Sequence, residues 1–143
     1  MENKTQVNIE DKKRPKLYVE QPVYVRSYTL LKELATCYSR IPRDIRYTLG
    51  TRMLNAMTDE VMCVTHAFKS AKGKDVFIRD AILHLEETQV LLRLLKDIGA
   101  VSTKFFLHTL PVSADISTQL NSWARYTERK EQTDSTKRKR ESM

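Results

Sequence analysis

Ile41 to Arg52 reads IPRDIRYTLGTR and opens the longest periodic stretch of the chain. Pro42 suits a helix start, because the first helical amides have no partner within the helix and a proline there loses nothing. From that start Ile45, Leu49, Met53, Ala56, Glu60, Cys63 and Ala67 recur at spacings of three and four, so one mostly apolar face is expected to run to about Ser70. Two residues on this helix break the pattern in informative ways. Gly50 costs about 1 kcal/mol against alanine inside a helix, which predicts a neighbouring backbone packed close against it. Arg46 points toward the apolar half, where a guanidinium needs a carboxylate or several carbonyls.

Working outward, the same spacing predicts three more helices. The first spans Pro22 to Ser39, with Tyr24, Tyr28, Leu31, Ala35 and Tyr38 on one stripe and Leu30 and Leu34 beside it. Whether Leu17 to Glu20 joins it across Pro22 is left open by the pattern. Arg40, Ile41 and Pro42 leave almost no loop, which makes the first two helices antiparallel neighbours. After the second helix, Lys72-Gly73-Lys74 reads as a turn, with Gly73 in the left-handed position and Asp75 as the cap of a third helix, Val76 to Ile98. Gly99 stops that helix and Ser102 caps a fourth, which reaches Tyr126 or a little beyond. Pro111 inside the fourth predicts a separate turn over Thr103 to Leu110, followed by a body in which Ser113, Ile116, Leu120 and Trp123 keep the helical spacing. The expected architecture is all-α: an up-and-down four-helix bundle over 17–126, between a flexible charged leader at 1–16 and a flexible basic tail at 127–143.

The third helix is more apolar than one core requires. Phe77, Ala81, Ile82, Leu85, Leu92 and Leu95 form one stripe, and Leu83, Val90, Leu91, Leu94 and Ile98 form a second on nearly the opposite side. The second stripe is the candidate contact with another copy of the chain.

The motif of Pro42, Arg46, Tyr47, Leu49 and Gly50, followed by Arg52, resembles the accessory variability determinant (Avd) proteins of diversity-generating retroelements. The resemblance extends to about Tyr126 through helix lengths, turn positions and a tryptophan near the end of the last helix, here Trp123. Pro111 departs from that pattern. The resemblance implies a homopentameric, ring-like, basic assembly. It would bind the retroelement's reverse transcriptase and nucleic acid, template RNA or cDNA, and support mutagenic reverse transcription. It also implies a bacterial or phage-encoded cytoplasmic protein whose partner does the polymerase chemistry. The role of the Arg46-to-Gly50 motif is read as structural. Two other readings belong to different classes: a structural bundle like the ribosomal-RNA intervening-sequence proteins, and a helical adaptor that binds only protein.

Composition bounds these readings. The 143 residues suit one domain. A net charge of +7 and a pI near 9.5 favour an anionic partner. Of that charge the segment 17–126 carries only +3, so a specific arrangement of cations is needed. The candidates for nucleic acid or reverse transcriptase are Arg43, Arg52, Lys69, Lys72, Lys74, Arg79, Arg93, Lys96, Arg125, Arg129 and Lys130. Lys137 to Arg140 matches a nuclear import signal and equally a phosphate-binding arm, and the resemblance to a prokaryotic family favours the arm.

No catalytic residue, metal or cofactor is expected. His66, His84 and His108 lie on three predicted helices, and no Glu-x-x-His pair of the di-iron kind occurs. Cys63 and His66 are three apart, but no second ligand pair accompanies them. Cys37 and Cys63 read as small core residues. Arg46 and Glu60 are expected to meet partners on another helix or chain, in ion pairs that set register. The chain shows no signal core and no apolar run of roughly eighteen residues, so neither secretion nor a membrane span is expected.

Overall fold

The computed structural model describes residues 17–142. The expected leader at 1–16 lies outside the described residues. A short 3-10 turn, Tyr18–Glu20, stands apart from the first helix because Gln21 is extended. Four helices follow. Helix α1 is Pro22–Tyr38, with the proline in its first turn. Helix α2 runs as Arg43–Ile45, a π turn over Arg46–Gly50, and Thr51–Lys69. Helix α3 is Lys74–Asp97 and helix α4 is Thr103–Glu141. Among the described residues there is no strand.

Each helix packs on the next in sequence, and α4 returns to pack on α1, which closes a four-helix bundle. Leu30, Leu34, Met53, Met57, Val64, Leu85, Leu95, Ile116 and Leu120 fill its centre. Polar pairs join the helices at their edges: Arg26 to Asp115 at 3.1 Å and His108 to Glu33 at 3.1 Å between α1 and α4, and Arg52 to Glu87 at 3.3 Å between α2 and α3. These partners are half-exposed, so they set register more than they stabilise.

Several expectations are corrected. In α1 the core side is Val23, Ser27, Leu30 and Leu34, while Tyr28 and Ala35 are exposed. The stripe is turned because Ser27, a residue with no apolar signal, faces inward to bond Glu60. The cap of α3 is Gly73, in the left-handed region at φ 76°, and Asp75 instead sits in the first turn, 2.7 Å from Arg79.

Pro111 does not divide α4, which is one helix of 39 residues. Pro111 and Leu107 are exposed, so the carbonyl that loses its amide partner lies on the solvent side. Ser102 caps the helix as expected, accepting from the amide of Phe105 at 3.1 Å. Beyond Thr127 no residue of α4 is buried, yet the helix continues to Glu141. The stretch has no glycine or proline and is rich in Glu, Lys, Arg and Gln, which are good helix formers.

The joint between α1 and α2 explains the opening motif. Arg46 donates from Nε to the carbonyl of Ile41 at 3.0 Å and from Nη2 to that of Ser39 at 3.1 Å, so carbonyls beyond the end of α1 receive a charged donor. The π turn leaves an additional residue in the helix, and the Thr51 hydroxyl donates to the Arg46 carbonyl at 2.9 Å while lying 3.1 Å from the Tyr38 hydroxyl. A Cβ on Gly50 would stand 3.3 Å from Cδ1 of Ile41 and 3.5 Å from the Tyr38 ring. The neighbours of Gly50 are therefore side chains, not the backbone its position predicts.

Candidate nucleic-acid interface

The antiparallel order separates the candidate basic residues between the two ends of the bundle. Arg43, Arg93 and Lys96 lie toward the end where α1 meets α2 and α3 meets α4, and Lys69, Lys72, Lys74, Arg79 and Lys130 lie toward the opposite end. The bundle does not bring the two groups together.

Many of these cations are already engaged. Arg52 pairs with Glu87, and Arg79 with Asp75. Lys96 lies 2.7 Å from Asp97 and 4.9 Å from the centre of the Phe106 ring, and Lys69 sits over the Tyr18 ring at 5.2 Å. The lysine holds the Asp97 carboxyl below the usual range. Arg125 reaches the Ser122 hydroxyl at 3.5 Å. Arg43 is exposed at the start of α2, Arg129 is exposed on α4, and Arg93 lines a shallow groove between α3 and α4 with Val90 and Leu110.

What the fold does assemble is a cavity of about 380 Å³ between the α2–α3 turn and α4. Lys72 and Lys74 enter it from the turn; Trp123, Tyr126, Lys130 and Arg138 enter from successive turns of α4. Neither the two turn lysines nor Lys130 and Arg138 form an ion pair with another described residue, in contrast to Arg79 one turn along α3. Trp123 is half-buried and packs on Phe68 of α2, ring centres 4.5 Å apart, which fixes the indole at the floor. Tyr126 is 64% exposed. Two carboxylates, Glu131 and Asp134, share the rim. The Glu131 carboxyl is pushed above its ordinary range by loss of solvation, then by the charge of Asp75 and a hydrogen bond with it.

Sequence reading identified Lys72, Lys74 and Lys130 but not their convergence with Arg138, Trp123 and Tyr126. The signal was present: residues 123, 126, 130, 134 and 138 keep spacings of three and four, and the face appears once the helix is followed past Tyr126.

The candidate subunit contact is largely exposed: Leu83, Val90, Leu94 and Ile98 face outward, with Val90 67% exposed. Leu91 is the exception. It is buried in the bundle core, one position round from Val90, and leaves the candidate contact.

Three titratable groups in or against the core, Glu60, Cys63 and Cys37, are shifted from their ordinary ranges. Glu60 is fully buried on α2; its Oε1 accepts from the Ser27 hydroxyl at 2.9 Å, and its Oε2 has no partner among the described residues. This is a hydrogen bond to a neutral group where an ion pair was expected. Burial pushes its carboxyl up to about 8, with the Ser27 bond opposing the shift, so it is mainly neutral at pH 7. The Cys63 thiol is pushed up to about 11 by burial and then by Asp80, Asp59 and Glu60, and burial also raises Cys37, so neither is an activated nucleophile. Among the described residues no three His, Cys, Asp or Glu side chains are placed to hold a metal ion, and no helix is long and apolar enough to cross a membrane.

Comparison with known protein families, with characterised proteins and with solved structures finds no match to this chain.

Proposed function

We propose that the chain is a non-catalytic accessory protein of a diversity-generating retroelement, an Avd-like bundle that binds nucleic acid and a reverse transcriptase and assembles as a ring of five. The observation that carries the nucleic-acid part is the convergence of Lys72, Lys74, Lys130 and Arg138 on one cavity, none of them in an ion pair with another described residue. Cations left without carboxylate partners are available to phosphates, and phosphate contacts require positive charge at suitable separations rather than a sequence motif. The retroelement part rests on the resemblance carried by Pro42, Arg46 to Gly50 and Arg52. The assembly part is supported by the exposed apolar residues Leu83, Val90, Leu94 and Ile98, which recur along one side of α3.

A specific observation also favours the protein-only adaptor as second reading: that same stripe is a helix face suited to a partner helix. Solution mass by light scattering, with and without a structured RNA, separates the two. The proposal expects a pentamer that gains mass with RNA at low salt and loses it at high salt. It also expects Leu83→Glu with Val90→Glu to give a monomer of unchanged helicity, since both residues are exposed. A protein of any mass that ignores RNA at low salt overturns the nucleic-acid reading, and a native monomer overturns the ring.

A further inference from the structure

We infer that the cavity between the α2–α3 turn and α4 is a base-stacking site for single-stranded nucleic acid, in which Tyr126 and Trp123 receive a nucleobase while Lys72, Lys74, Lys130 and Arg138 hold the flanking phosphates. The inference rests on the nucleic-acid reading above and narrows it to one strand form and one site.

Three observations lead there. The first is the aromatic content. Tyr24 packs against Tyr18 and Tyr28, with ring centres 5.3 and 5.9 Å apart, whereas Tyr126 is 64% exposed and takes part in no such ring pair among the described residues. It stands one turn after Trp123, whose indole is held by Phe68 at 4.5 Å. A free ring beside an anchored one offers a flat apolar surface without ordering cost at the indole.

The second is volume and access. The cavity's 380 Å³ falls in the range of about 300–1,000 Å³ usual for small-molecule sites. Its mouth is open at the turn, where a Cβ on Gly73 would meet nothing within 4 Å.

The third is the placement of charge. Lys72 and Lys74 line the cavity from the turn and Lys130 and Arg138 line it from α4, further along the helix than Trp123 and Tyr126, so cations reach the cavity from both elements. On the same lining Asp134 presents carboxylate oxygens, acceptors suited to the exocyclic amines of a base, while Glu131 is engaged with Asp75.

A duplex cannot use this arrangement, because its bases are paired and stacked and offer no free face. A single strand presents both base face and phosphates, and aromatic stacking adds about 1–3 kcal/mol per base without sequence selection.

Trp123 is the sole tryptophan, so its fluorescence reports on the cavity floor. The full chain is titrated at low salt with a short oligoadenylate strand and with the same strand paired to oligouridylate. The expected result is quenching by the single strand and not by the duplex. Tyr126→Ala should weaken single-strand binding roughly tenfold, the size of one lost stacking contact, while duplex binding and the salt slope stay as in the native chain. Tyr126→Phe should bind as the native chain does. Equal binding of the two forms with unmoved fluorescence, or an unaffected Tyr126→Ala, overturns the stacking site and leaves the nucleic-acid reading standing. Binding of neither form overturns both.

Discussion

Arg46 and Glu60 occupy the same apolar half of α2, and the bundle resolves them by opposite means. Arg46 sits at the joint with α1, where the chain has just left a helix and carbonyls remain unused; its guanidinium reaches two of them, at 3.0 and 3.1 Å. Glu60 sits mid-bundle, where every nearby carbonyl and amide belongs to a helix ladder, and finds one hydroxyl, that of Ser27. One carboxyl oxygen goes without a partner among the described residues. The difference shows that an ionisable group on an apolar face is tolerable at a helix end because unpaired backbone is available there. In a helix interior it is tolerable chiefly by becoming neutral.

Titration breaks this comparison most sharply. The Glu60 carboxyl, ordinarily near 4.5, titrates near 8 in the bundle. Between those values the folded chain holds a proton that the unfolded chain has released, so stability falls as pH rises through the window and is level above it. The fall is on the order of 5 kcal/mol. Urea melts at acidic, neutral and alkaline pH should show it, and Glu60→Gln, which keeps an acceptor for Ser27 but cannot ionise, should flatten the profile and exceed the native chain in stability above pH 8. Parallel profiles for the two proteins would mean that Glu60 is solvated and ionised within the bundle.

Arg46 should behave otherwise. Arg46→Ala removes two charge-assisted bonds and should lower stability by about 2–3 kcal/mol, by the same amount at every pH in that window. Arg46→Lys should recover less than half of the loss, because one ammonium cannot span both carbonyls as a guanidinium fork does. Full recovery by lysine would show that charge at the joint matters and fork geometry does not.

The sequence made the broad layout legible because it depends on period and punctuation. Pro22, Gly73, Gly99 and Ser102 each mark a helix end by a local rule that no tertiary contact overrides. What it did not reveal depends on pairs. Ser27 is a polar residue in isolation and becomes core only because Glu60 lies across from it. Leu91 looks like its neighbour Val90 in any hydropathy reading, yet 100° of rotation separates a core residue from an exposed one. The site was hidden for a similar reason. Arg138 carries no apolar pattern to place it, and its nearness to Lys72 follows only from continuing α4 past the bundle alongside the α2–α3 turn.

The smallest expected effect is at Gly50, where helix propensity and joint packing oppose each other. Alanine gains up to about 1 kcal/mol of helix propensity over glycine, but its Cβ would meet Ile41 Cδ1 at 3.3 Å and the Tyr38 ring at 3.5 Å. The Ile41 contact is with the end of a flexible side chain and can shift by a few tenths of an ångström; the Tyr38 contact is already an ordinary van der Waals distance. Gly50→Ala should therefore change stability by less than about 0.5 kcal/mol. Gly50→Val places further methyls against the ring and should cost about 2 kcal/mol. Tyr38 cannot easily retreat, since its hydroxyl is tied to Thr51 at 3.1 Å. Thr51→Val cuts that tie and should reduce the penalty of Gly50→Val in a double-mutant cycle. Strict additivity in the cycle would locate the clash at Ile41 alone and leave the Tyr38 tether without a part in holding the joint closed.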